Sequence, residues 1–372
     1  MTIRKSAAKF PALRARFAMK AITGGISDLA AFIAKPAVAL RAGMRFVGAN
    51  GAEVPMIQQT PSKPDHGGGL DAAALRFGGR RGDWLDLSTG INPRPYPVPD
   101  ISPNAWAALP DEGAQNTLIH AARAFWNVPD TAAIIAAPGA SALIAMMPLL
   151  APAGRVHIPA PTYNEHARAF AAQGWALTET APDAQVLVHP NNPDGRLWHA
   201  ADLTAPLTVI DESFCDVTPD QTLIAQATRP GTIILKSFGK FWGLAGLRLG
   251  FAIGDPALIA KLTALLGPWP VSGPALQIAA SALNDTTWAT ATRARLTADA
   301  ARLDQLMGLR LIGGTPLFRL YDHPDAAQVQ TALAQHHIWT RTFPYNPRFL
   351  RLGLPDTPHD WARLSLALHE AR

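Results

Sequence analysis

One lysine in this 372-residue chain lies in surroundings that would allow covalent chemistry. Lys240 ends the segment Ser237-Phe238-Gly239-Lys240, which follows a short apolar run, and Arg248 comes eight residues later. A lysine placed just after a buried strand can act as a Schiff-base nucleophile. A serine hydroxyl and an arginine guanidinium can together hold a phosphate. Lys236 is a competing candidate for the nucleophile, and a surface ion pair is the alternative role of Arg248.

Other polar residues also follow apolar runs, where they could bind a cofactor or a substrate. Asp211 directly follows the mostly apolar run 207–210. A carboxylate at the end of a buried strand needs a partner, such as a protonated ring nitrogen or the first turn of a helix. Asn192, in a turn flanked by prolines, can donate to a phenolic oxygen or simply shape the turn. The segment Gly139-Ala140-Ser141 opens a predicted helix, where backbone N–H groups bind an anion or are capped. Tyr163 can stack on an aromatic ring or pack in the core.

The elements that must position these residues alternate in type from about residue 85 onwards. Short apolar runs separated by helical patterns predict an α/β fold with a mostly parallel sheet, covered by helices on both faces. Ligands of such sheets bind outside the carboxyl ends of the strands, so residues about a hundred positions apart can converge there. After Pro270 a long helical stretch and three short strands predict a smaller α+β domain. The predicted strands are 132–137, 155–159, 185–189, 207–210, 232–235, 317–321, 338–343 and 349–354, and the predicted helices are 142–150, 162–173, 276–309 and 326–335.

The composition excludes several classes of protein. With 48% hydrophobic and 16% charged residues, the chain is not intrinsically disordered. It contains no uninterrupted apolar run of about 18 residues, so a membrane-spanning helix is not expected. The single cysteine, Cys215, excludes an internal disulfide framework and a cysteine zinc cluster, and it indicates a reducing, cytoplasmic compartment.

The basic charge of the chain is concentrated at its N-terminus. Residues 1–55 hold nine Lys or Arg and two Asp or Glu, a surplus larger than the net charge of +5 of the whole chain. The remainder is therefore slightly acidic, which argues against a nucleic-acid surface. We interpret residues 1–56 as a dispensable basic extension, translated from an early start codon with Met44 and Met56 as later starts. The alternative is a targeting segment, since the composition is similar to that of a mitochondrial transit peptide.

In their order and spacing, these motifs resemble the class I and II aminotransferase group of fold-type I pyridoxal-phosphate enzymes. The resemblance covers about residues 62–372. It rests on Gly139-Ala140-Ser141, Tyr163, Asn192-Pro193-Asp194-Gly195, Asp211-Glu212, Ser237-x-x-Lys240 and Gly246-Leu247-Arg248. The resemblance implies pyridoxal 5'-phosphate as the cofactor, bonded covalently through its aldehyde to Lys240. It implies domains at 57–92 (N-terminal arm of the small domain), 93–270 (large cofactor-binding domain) and 271–372 (small α+β domain).

The resemblance also implies a role for each cofactor-binding residue. Asp211 would pair with the pyridine nitrogen, Asn192 would contact the ring oxygen, and Tyr163 would stack on the ring. The residues implied to bind the cofactor phosphate are Ala140, Ser141, Ser237 and Arg248, next to Gly139 in the same cofactor-binding segment. These roles are chemically consistent, because an aspartate keeps the ring nitrogen protonated and a lysine beside the substrate carbon can move its proton.

Further segments resemble one branch of this family, which serves cobalamin biosynthesis and is close to histidinol-phosphate aminotransferase. They are His66-Gly67-Gly68-Gly69, Trp84-Leu85-Asp86-Leu87-Ser88-Thr89-Gly90-Ile91-Asn92-Pro93 and Pro95-Tyr96-Pro97-Val98-Pro99. The resemblance implies a lyase that removes carbon dioxide from L-threonine O-3-phosphate and forms (R)-1-amino-2-propanol O-2-phosphate. It further implies a cytoplasmic homodimer that uses no metal, nucleic acid or membrane.

Such a substrate carries a carboxylate and a phosphate. By the same resemblance, Arg341 and Arg351 bind these anions from neighbouring strands, and Arg348 between them is exposed. Asn92 is expected near the substrate, with turn formation before Pro93 as its alternative. His66 is expected to reach the substrate phosphate from the partner subunit.

Two other functions stay open at this point. An aminotransferase for a phosphorylated amino substrate such as histidinol phosphate differs only in which bond of the substrate α-carbon stands perpendicular to the ring, and small shifts in geometry decide that. A non-catalytic protein of the corrinoid pathway on the same scaffold is the other alternative. It is motivated by two departures from the family pattern, since Ser213-Phe214 and Leu109-Pro110-Asp111 stand where relatives carry a tyrosine.

Overall fold

The computed structural model describes residues 66–370, so the interpretation of residues 1–56 and the first part of the predicted arm lie outside the described residues. The described α-helices are α1 (Leu70–Phe77), α2 (Pro103–Ala107), α3 (Glu112–Trp126), α4 (Ala140–Met146), α5 (Asn164–Ala172), α6 (Pro256–Leu266), α7 (Gly273–Asn284), α8 (Thr286–Met307), α9 (Ala326–Gln335) and α10 (Pro358–Glu370). The described β-strands are β1 (Leu85–Asp86), β2 (Ala133–Ala137), β3 (Arg155–His157), β4 (Ala176–Leu177), β5 (Ala184–Val188), β6 (Leu207–Asp211), β7 (Thr232–Ser237), β8 (Gly250–Gly254), β9 (Arg310–Thr315), β10 (Phe318–Asp322), β11 (Ile338–Trp339), β12 (Arg341–Phe343) and β13 (Asn346–Gly353).

The largest sheet has seven strands in the order β2-β8-β7-β6-β5-β3-β4. Strand β8 is antiparallel to both of its neighbours, and every other pair in this sheet is parallel. The predicted α/β fold with a mostly parallel sheet is therefore confirmed.

Alternate residues of the central strands face two different apolar layers. On β7, Ile233 and Leu235 pack with side chains of α4, α5 and α6, whereas Ile234 packs with side chains of α3, α7 and α8. Every residue of β5 and β6 is buried. Because helices cover both faces, these strands have continuous apolar runs instead of an alternating pattern.

The carboxyl ends of three strands bring polar residues to one edge of this sheet. Val188 of β5 is the register partner of Asp211 at the end of β6, and Asp211 is also the partner of Leu235 on β7. Residues that follow β5 and β7 therefore lie on either side of Asp211, as expected for a ligand site of an open α/β sheet.

A smaller antiparallel sheet in the order β12-β13-β10-β9 follows in the chain. Its buried residues Leu350 and Leu352 share a core with Leu333 of α9 and Leu364 of α10. Strand β1 pairs in parallel with β11 in a separate two-stranded sheet. This agrees with the predicted α+β character of the C-terminal part, while the domain boundaries at 92 and 270 stay predictions.

The C-terminal elements differ from the prediction: α10 was not predicted, β13 begins three residues early, and three further differences concern a helix and two strands. The helix expected over 276–309 is two helices, because the chain breaks at Asp285, whose side chain caps α8 by accepting a hydrogen bond from the Trp288 N–H at 2.9 Å. Strand β9 was not predicted, since two glycines in its centre weaken the strand signal. The strand expected over 338–343 divides at Thr340 into β11 and β12, which belong to different sheets.

Among the helices of residues 66–370, none combines the length and the apolar character needed to cross a membrane.

Candidate active site

Lys240 lies in the turn after β7 and lines a cavity at the carboxyl ends of the strands. Its backbone carbonyl accepts hydrogen bonds from the N–H groups of Asn92 at 3.0 Å and Gly243 at 3.1 Å. Burial is the main cause that lowers the pKa of the Lys240 amine to about 8, and the positive charge of Arg351 adds to it. A fraction of the amine is therefore unprotonated and nucleophilic near neutral pH.

Lys236, the competing candidate, belongs to a different buried centre. Its Nζ lies 2.6 Å from Glu212 Oε2 and 3.6 Å from Asp216 Oδ1. Although burial opposes the charged form, these two carboxylates raise the pKa of Lys236. Lys236 is therefore protonated and paired, and it does not line the cavities around Lys240. The geometry favours Lys240 as the nucleophile.

Asp211 is only 2% exposed at the end of β6. Its Oδ2 lies 2.8 Å from His166 Nε2, and its Oδ1 accepts hydrogen bonds from the N–H and the hydroxyl of Ser213 at 3.0 and 2.5 Å. Burial alone would raise the pKa of Asp211, but these hydrogen bonds outweigh it and lower the pKa. The carboxylate is thus ionised, and its donors do not come from the first turn of a helix, so the capping alternative does not apply.

An anion site forms another part of the same cavity, where α4 begins beside Arg248 and Ser237. Gly139 has a φ of 89°, and a Cβ at this position would lie 2.6 Å from Arg248 Nη2, so the close approach of the guanidinium requires glycine. Arg248 Nη1 donates to the carbonyl of Ala245 at 3.0 Å, which fixes the guanidinium beside the cavity. Helix-start N–H groups, a hydroxyl and a guanidinium are suitable donors for a phosphate.

The cavity thus combines an anion site, an amine of lowered pKa and a buried, ionised carboxylate. Pyridoxal 5'-phosphate presents a phosphate, an aldehyde and a protonatable ring nitrogen, so these groups fit that cofactor. The cavity-lining residues that were predicted to bind it are Ala140, Ser141, Tyr163, Asn192, Asp211, Ser237, Lys240 and Arg248.

Tyr163 and Asn192 connect this cavity to its surroundings. Burial is the main cause that raises the pKa of Tyr163 to about 12, so its hydroxyl stays neutral. The ring of Tyr163 lies edge-on to that of His166, with centroids 6.1 Å apart. Asn192 Oδ1 accepts a hydrogen bond from Arg351 Nη1. The contacts of Tyr163 and Asn192 with the cofactor ring stay predictions.

A second cavity adjoins the first, since Tyr163, Asn192, Phe214 and Lys240 line both. The two cavities therefore meet at the Lys240 amine. The other residues that line the second cavity are His66, Gly67, Thr89, Gly90, Thr162, Asn164, Arg341, Phe343, Tyr345 and Arg351.

Two arginines give the second cavity its positive charge. Arg341 and Arg351 are register partners on β12 and β13, so they lie on neighbouring strands as the sequence predicts. Arg351 is 5% exposed, and its Nη2 donates to the carbonyl of Ser88 at 2.6 Å while its Nη1 is held by Asn192. Burial and the charge of Arg341 lower the pKa of Arg351 to about 10. A desolvated guanidinium beside a second one is well suited to bind anions.

The structure also places His66 and Arg348, two other residues that the sequence analysis discussed near the substrate. His66 lines the second cavity of its own chain, and its Nε2 lies 3.0 Å from Glu165 Oε1. The predicted contact of this histidine with the substrate phosphate, from the partner subunit, stays a prediction. Arg348 is exposed, as predicted, and its Nη2 lies 2.7 Å from Asp322 Oδ2.

The structure does not bring the Asn92 side chain into either cavity. Its Nδ2 donates to the carbonyl of Phe241 at 2.9 Å, and its Oδ1 accepts from the Arg94 N–H at 3.1 Å and Arg295 Nη2 at 2.7 Å. Both polar atoms of the buried amide have protein partners, so it shapes the turn and supports the Lys240 loop, and its predicted contact with the substrate stays a prediction.

Sequence reasoning missed His166 and the position of Phe214. His166 precedes the buried Phe170 by four residues, a spacing typical of the apolar face of a helix, and its partner Asp211 is 45 residues away. Only the missing hydroxyl of Phe214 was noted. The ring centroid of Phe214 lies 5.3 Å from Lys240 Nζ, so an aromatic face without a hydroxyl lies beside the amine.

Comparisons with known proteins identify the family of this chain. The model of the family "Aminotransferase class I and II" matches residues 175–364. A threonine-phosphate decarboxylase of Sinorhizobium sp. is 42% identical over 82% of this chain and 97% of its own length. A second threonine-phosphate decarboxylase, of Pseudomonas aeruginosa, is 39% identical over 82% of this chain and 97% of its own length.

A solved structure shows the same fold. The crystal structure of histidinol-phosphate aminotransferase from Sinorhizobium meliloti, in complex with pyridoxal-5'-phosphate, has a TM-score of 0.68 and 19% identity, and the match covers 85% of this chain and 98% of that one. The predicted fold-type I architecture is thereby confirmed. The chain therefore belongs to the class I and II aminotransferase family of pyridoxal-phosphate enzymes, to which its threonine-phosphate decarboxylase relatives also belong.

Proposed function

We propose that this chain is a pyridoxal-phosphate-dependent lyase that converts L-threonine O-3-phosphate and releases carbon dioxide. The product, (R)-1-amino-2-propanol O-2-phosphate, would supply the aminopropanol arm of cobalamin. The observation that carries the proposal is the position of the Lys240 amine, where the cofactor cavity meets a second cavity with two arginines. Relatives named threonine-phosphate decarboxylase, at 42% and 39% identity, support the choice of substrate.

The second cavity suits a small substrate with two anionic groups. Arg341 and Arg351 provide two guanidinium groups on paired strands, and His66 lies at the same cavity. A carboxylate and a phosphate on one small molecule match this pair of charges. We assign substrate binding to these three residues, and the contact of Asn92, whose amide atoms both have protein partners, stays a prediction.

When bound, pyridoxal 5'-phosphate supplies a sink for the electron pair that the departing carboxylate leaves on the α-carbon. Asp211 provides the buried negative charge that keeps a ring nitrogen protonated. With the cofactor present, the Lys240 amine would hold a proton on Nζ and would deliver it to the α-carbon in place of the departing carbon dioxide. Arg351 and Arg341 orient the substrate so that the scissile bond is held in the reactive direction.

An aminotransferase is the second candidate, because the same two arginines could hold another phosphorylated amino substrate such as histidinol phosphate. The test is a product assay with each substrate, with and without an oxo-acid acceptor. We expect carbon dioxide from threonine phosphate without acceptor, and none from the matched Lys240→Ala variant. Strict dependence on an acceptor would favour the aminotransferase, and no product with a cofactor-loaded protein would favour a non-catalytic role.

We also propose that the chain forms a homodimer. Trp106 is 71% exposed, Leu109 67% and Trp269 52%. All three lie in segments next to α3 and α7, and exposed apolar side chains of this size are typical of interaction surfaces. Light scattering should give twice the mass of the chain, and Trp106→Glu should shift the protein towards the monomer. A monomeric wild-type protein would contradict this proposal.

The proposed location is the cytoplasm. Cys215 is buried and unpaired, which supports a reducing compartment. Cell fractionation tests this, and accumulation in an organelle would instead favour the targeting interpretation of residues 1–56.

A further inference from the structure

Asn191 has a buried side-chain amide that joins two loops of the site. It precedes Asn192 in the turn after β5, and it is only 1% exposed. Its Nδ2 donates to the carbonyl of Pro161 at 2.9 Å, and its Oδ1 accepts from the hydroxyl of Thr162 at 2.6 Å. Both partners directly precede Tyr163 in the chain. One amide therefore connects the turn that carries Asn192 to the loop that carries Tyr163.

The same residue also fixes the turn from within. Asn191 Nδ2 donates to Asp194 Oδ1 at 2.7 Å, and that oxygen accepts from the Arg196 N–H at 3.0 Å. The backbone carbonyl of Asn191 accepts from the Gly195 N–H at 2.7 Å. The chain before Asn192 and the chain after it are thus held by the side chain and the backbone of one residue.

The partners of the amide allow only one of its two orientations. The Pro161 carbonyl can only accept a hydrogen bond, and Asp194 Oδ1 also accepts from the N–H of Arg196. An amide turned by 180° would place its own oxygen against these two acceptors in buried surroundings, which is costly. Both N–H groups of the amide are therefore used within the protein, and Asn191 acts on a ligand only through its neighbours.

Tyr163 and Asn192, the two residues that Asn191 connects, line both cavities at Lys240. Tyr163 is expected to stack on the cofactor ring, and Asn192 is expected to contact the ring oxygen. They belong to different loops, so contacts between these loops set the distance between the stacking face and the amide. A planar ring that must meet both needs this distance to be defined closely.

We propose that Asn191 is a positioning residue for the cofactor, whose amide holds the Tyr163 loop and the Asn192 turn in register with each other. This inference rests on the proposed function, because it takes pyridoxal 5'-phosphate to lie between Tyr163 and Asn192. Without the amide, the Pro161 carbonyl and the Thr162 hydroxyl lose a buried partner, and the two loops separate or rotate. The cofactor then binds more weakly and in a less defined orientation.

Gln185 provides a matched control at the opposite end of β5. It is also 1% exposed, and its Nε2 donates to the carbonyl of Asp202 at 3.0 Å. Its Oε1 accepts from the N–H groups of Thr204 and Ala205, each at 2.9 Å. Gln185 lines neither cavity at Lys240, so it is a buried, fully paired amide without a connection to the site.

The first experiment compares Asn191→Leu with Gln185→Leu by cofactor binding and by stability. Both variants should unfold at lower urea concentration, because each leaves buried polar groups without a partner. Asn191→Leu should raise the dissociation constant of pyridoxal 5'-phosphate about tenfold or more and weaken the circular dichroism band of the bound cofactor. Gln185→Leu should stay within about twofold of wild type in cofactor affinity and keep the band.

The second experiment exchanges donor and acceptor between positions 191 and 194. Asn191→Asp keeps the shape of the side chain but sets an acceptor against the Pro161 carbonyl and Asp194, so it should weaken cofactor binding at least tenfold or so. Adding Asp194→Asn restores a donor between the two side chains, and the double variant should bind the cofactor about threefold or more tighter than Asn191→Asp. A double variant that binds no better than Asn191→Asp contradicts the proposal.

The outcomes separate this inference from the proposed function, because affinity and dichroism are measured without turnover. A wild-type protein that bears no lysine-linked cofactor, or releases no carbon dioxide, contradicts the proposed function. With a loaded, active wild type, a folded Asn191→Leu variant with unchanged affinity and dichroism overturns only the role of Asn191. Equal weakening by Gln185→Leu also overturns it.

Thr162→Val decides the question if Asn191→Leu does not fold. This variant keeps the Asn191 amide and removes only the hydroxyl that donates to its oxygen. It should raise the dissociation constant of the cofactor about threefold and reduce the dichroism band. A folded Thr162→Val variant with wild-type affinity and dichroism would then overturn the proposal.

Discussion

Lys236 on β7 and Lys240 just after it have opposite surroundings. Lys236 Nζ lies 2.6 Å from Glu212 Oε2 and 3.6 Å from Asp216 Oδ1, so its charge is paired within the protein. Lys240 lines two cavities, and within residues 66–370 no carboxylate lies within ion-pair distance of its Nζ. The pKa of Lys236 is raised and that of Lys240 is lowered to about 8.

Glu212 and Asp211, which precede these lysines in the chain, also differ in whether they line a cavity at Lys240. Glu212 accepts hydrogen bonds from Lys236, Thr222 and Leu223, and it lines neither of the two cavities at Lys240. Asp211 is its neighbour in sequence but lines the cofactor cavity. The charges of Lys236 and Glu212 are paired within the protein and stabilise the fold. Asp211 and Lys240 line a cavity, where they can contact a ligand. Buried charge alone therefore does not identify a catalytic group, and lining a cavity is what separates Asp211 and Lys240 from Glu212 and Lys236.

The largest expected effect concerns Lys240. Lys240→Ala should lower kcat for carbon dioxide release by about 10⁴-fold or more, because both the covalent attachment and the proton donor are lost. The measurement is a carbon dioxide assay with threonine phosphate on the cofactor-supplemented variant. As a control for folding, the urea unfolding curve of Lys240→Ala should stay close to that of wild type. A variant with normal kcat would show that Lys240 is not the catalytic lysine.

Lys236 should behave in the opposite way. Lys236→Met leaves Glu212 and Asp216 buried without their cation, which should lower the free energy of unfolding by about 3–5 kcal/mol. Urea denaturation measures this loss. Adding Glu212→Gln to Lys236→Met should restore part of the stability, since one uncompensated charge is removed. Full stability of Lys236→Met would mean that this centre does not hold the fold together.

Substitution of Arg351 tests whether the site around Lys240 needs a defined geometry. Arg351→Lys keeps the charge but cannot contact Asn192 and the Ser88 carbonyl with two fixed N–H groups, so kcat/KM should fall about 10²-fold. Steady-state kinetics with threonine phosphate measures the effect. The matched control is Arg348→Lys, which alters an exposed pair with Asp322 and should leave kcat/KM within about twofold.

The smallest effect is a pH dependence of cofactor capture. Because the pKa of Lys240 is about 8, the nucleophilic free amine becomes more abundant as the pH rises to that value. The rate at which the cofactor-free protein binds pyridoxal 5'-phosphate should rise nearly tenfold per pH unit below 8 and level off above it. Stopped-flow absorbance measures this rate. A rise that continues to pH 10 would indicate an ordinary lysine instead.

The order of residues along the chain predicted a large part of the site. Asn192, Asp211 and Lys240 each follow a different strand, and they line one cavity because the carboxyl ends of parallel strands meet at one edge. This convergence needed only the strand pattern and the rule for parallel sheets. The strand pattern also put Arg341 and Arg351 on neighbouring strands, and the structure pairs them on the antiparallel strands β12 and β13.

The remaining features depend on packing between distant segments. The sequence does not show that Lys236 meets Glu212, so it could not choose between the two lysines. The contact of His166 with Asp211 depends on how α5 packs against β6. Asn92 was placed near the substrate by the family resemblance, and its position before a proline gives no sign that its amide contacts Phe241 and Arg295.

Covalent trapping tests the central claim most directly. The cofactor-loaded protein is reduced with borohydride, digested and mapped by mass spectrometry with fragmentation that separates positions 236 and 240. We predict one pyridoxyl label, on Lys240, which disappears in Lys240→Ala and persists in Lys236→Met. A label on Lys236 or on any other lysine, or no label on the loaded protein, would contradict it.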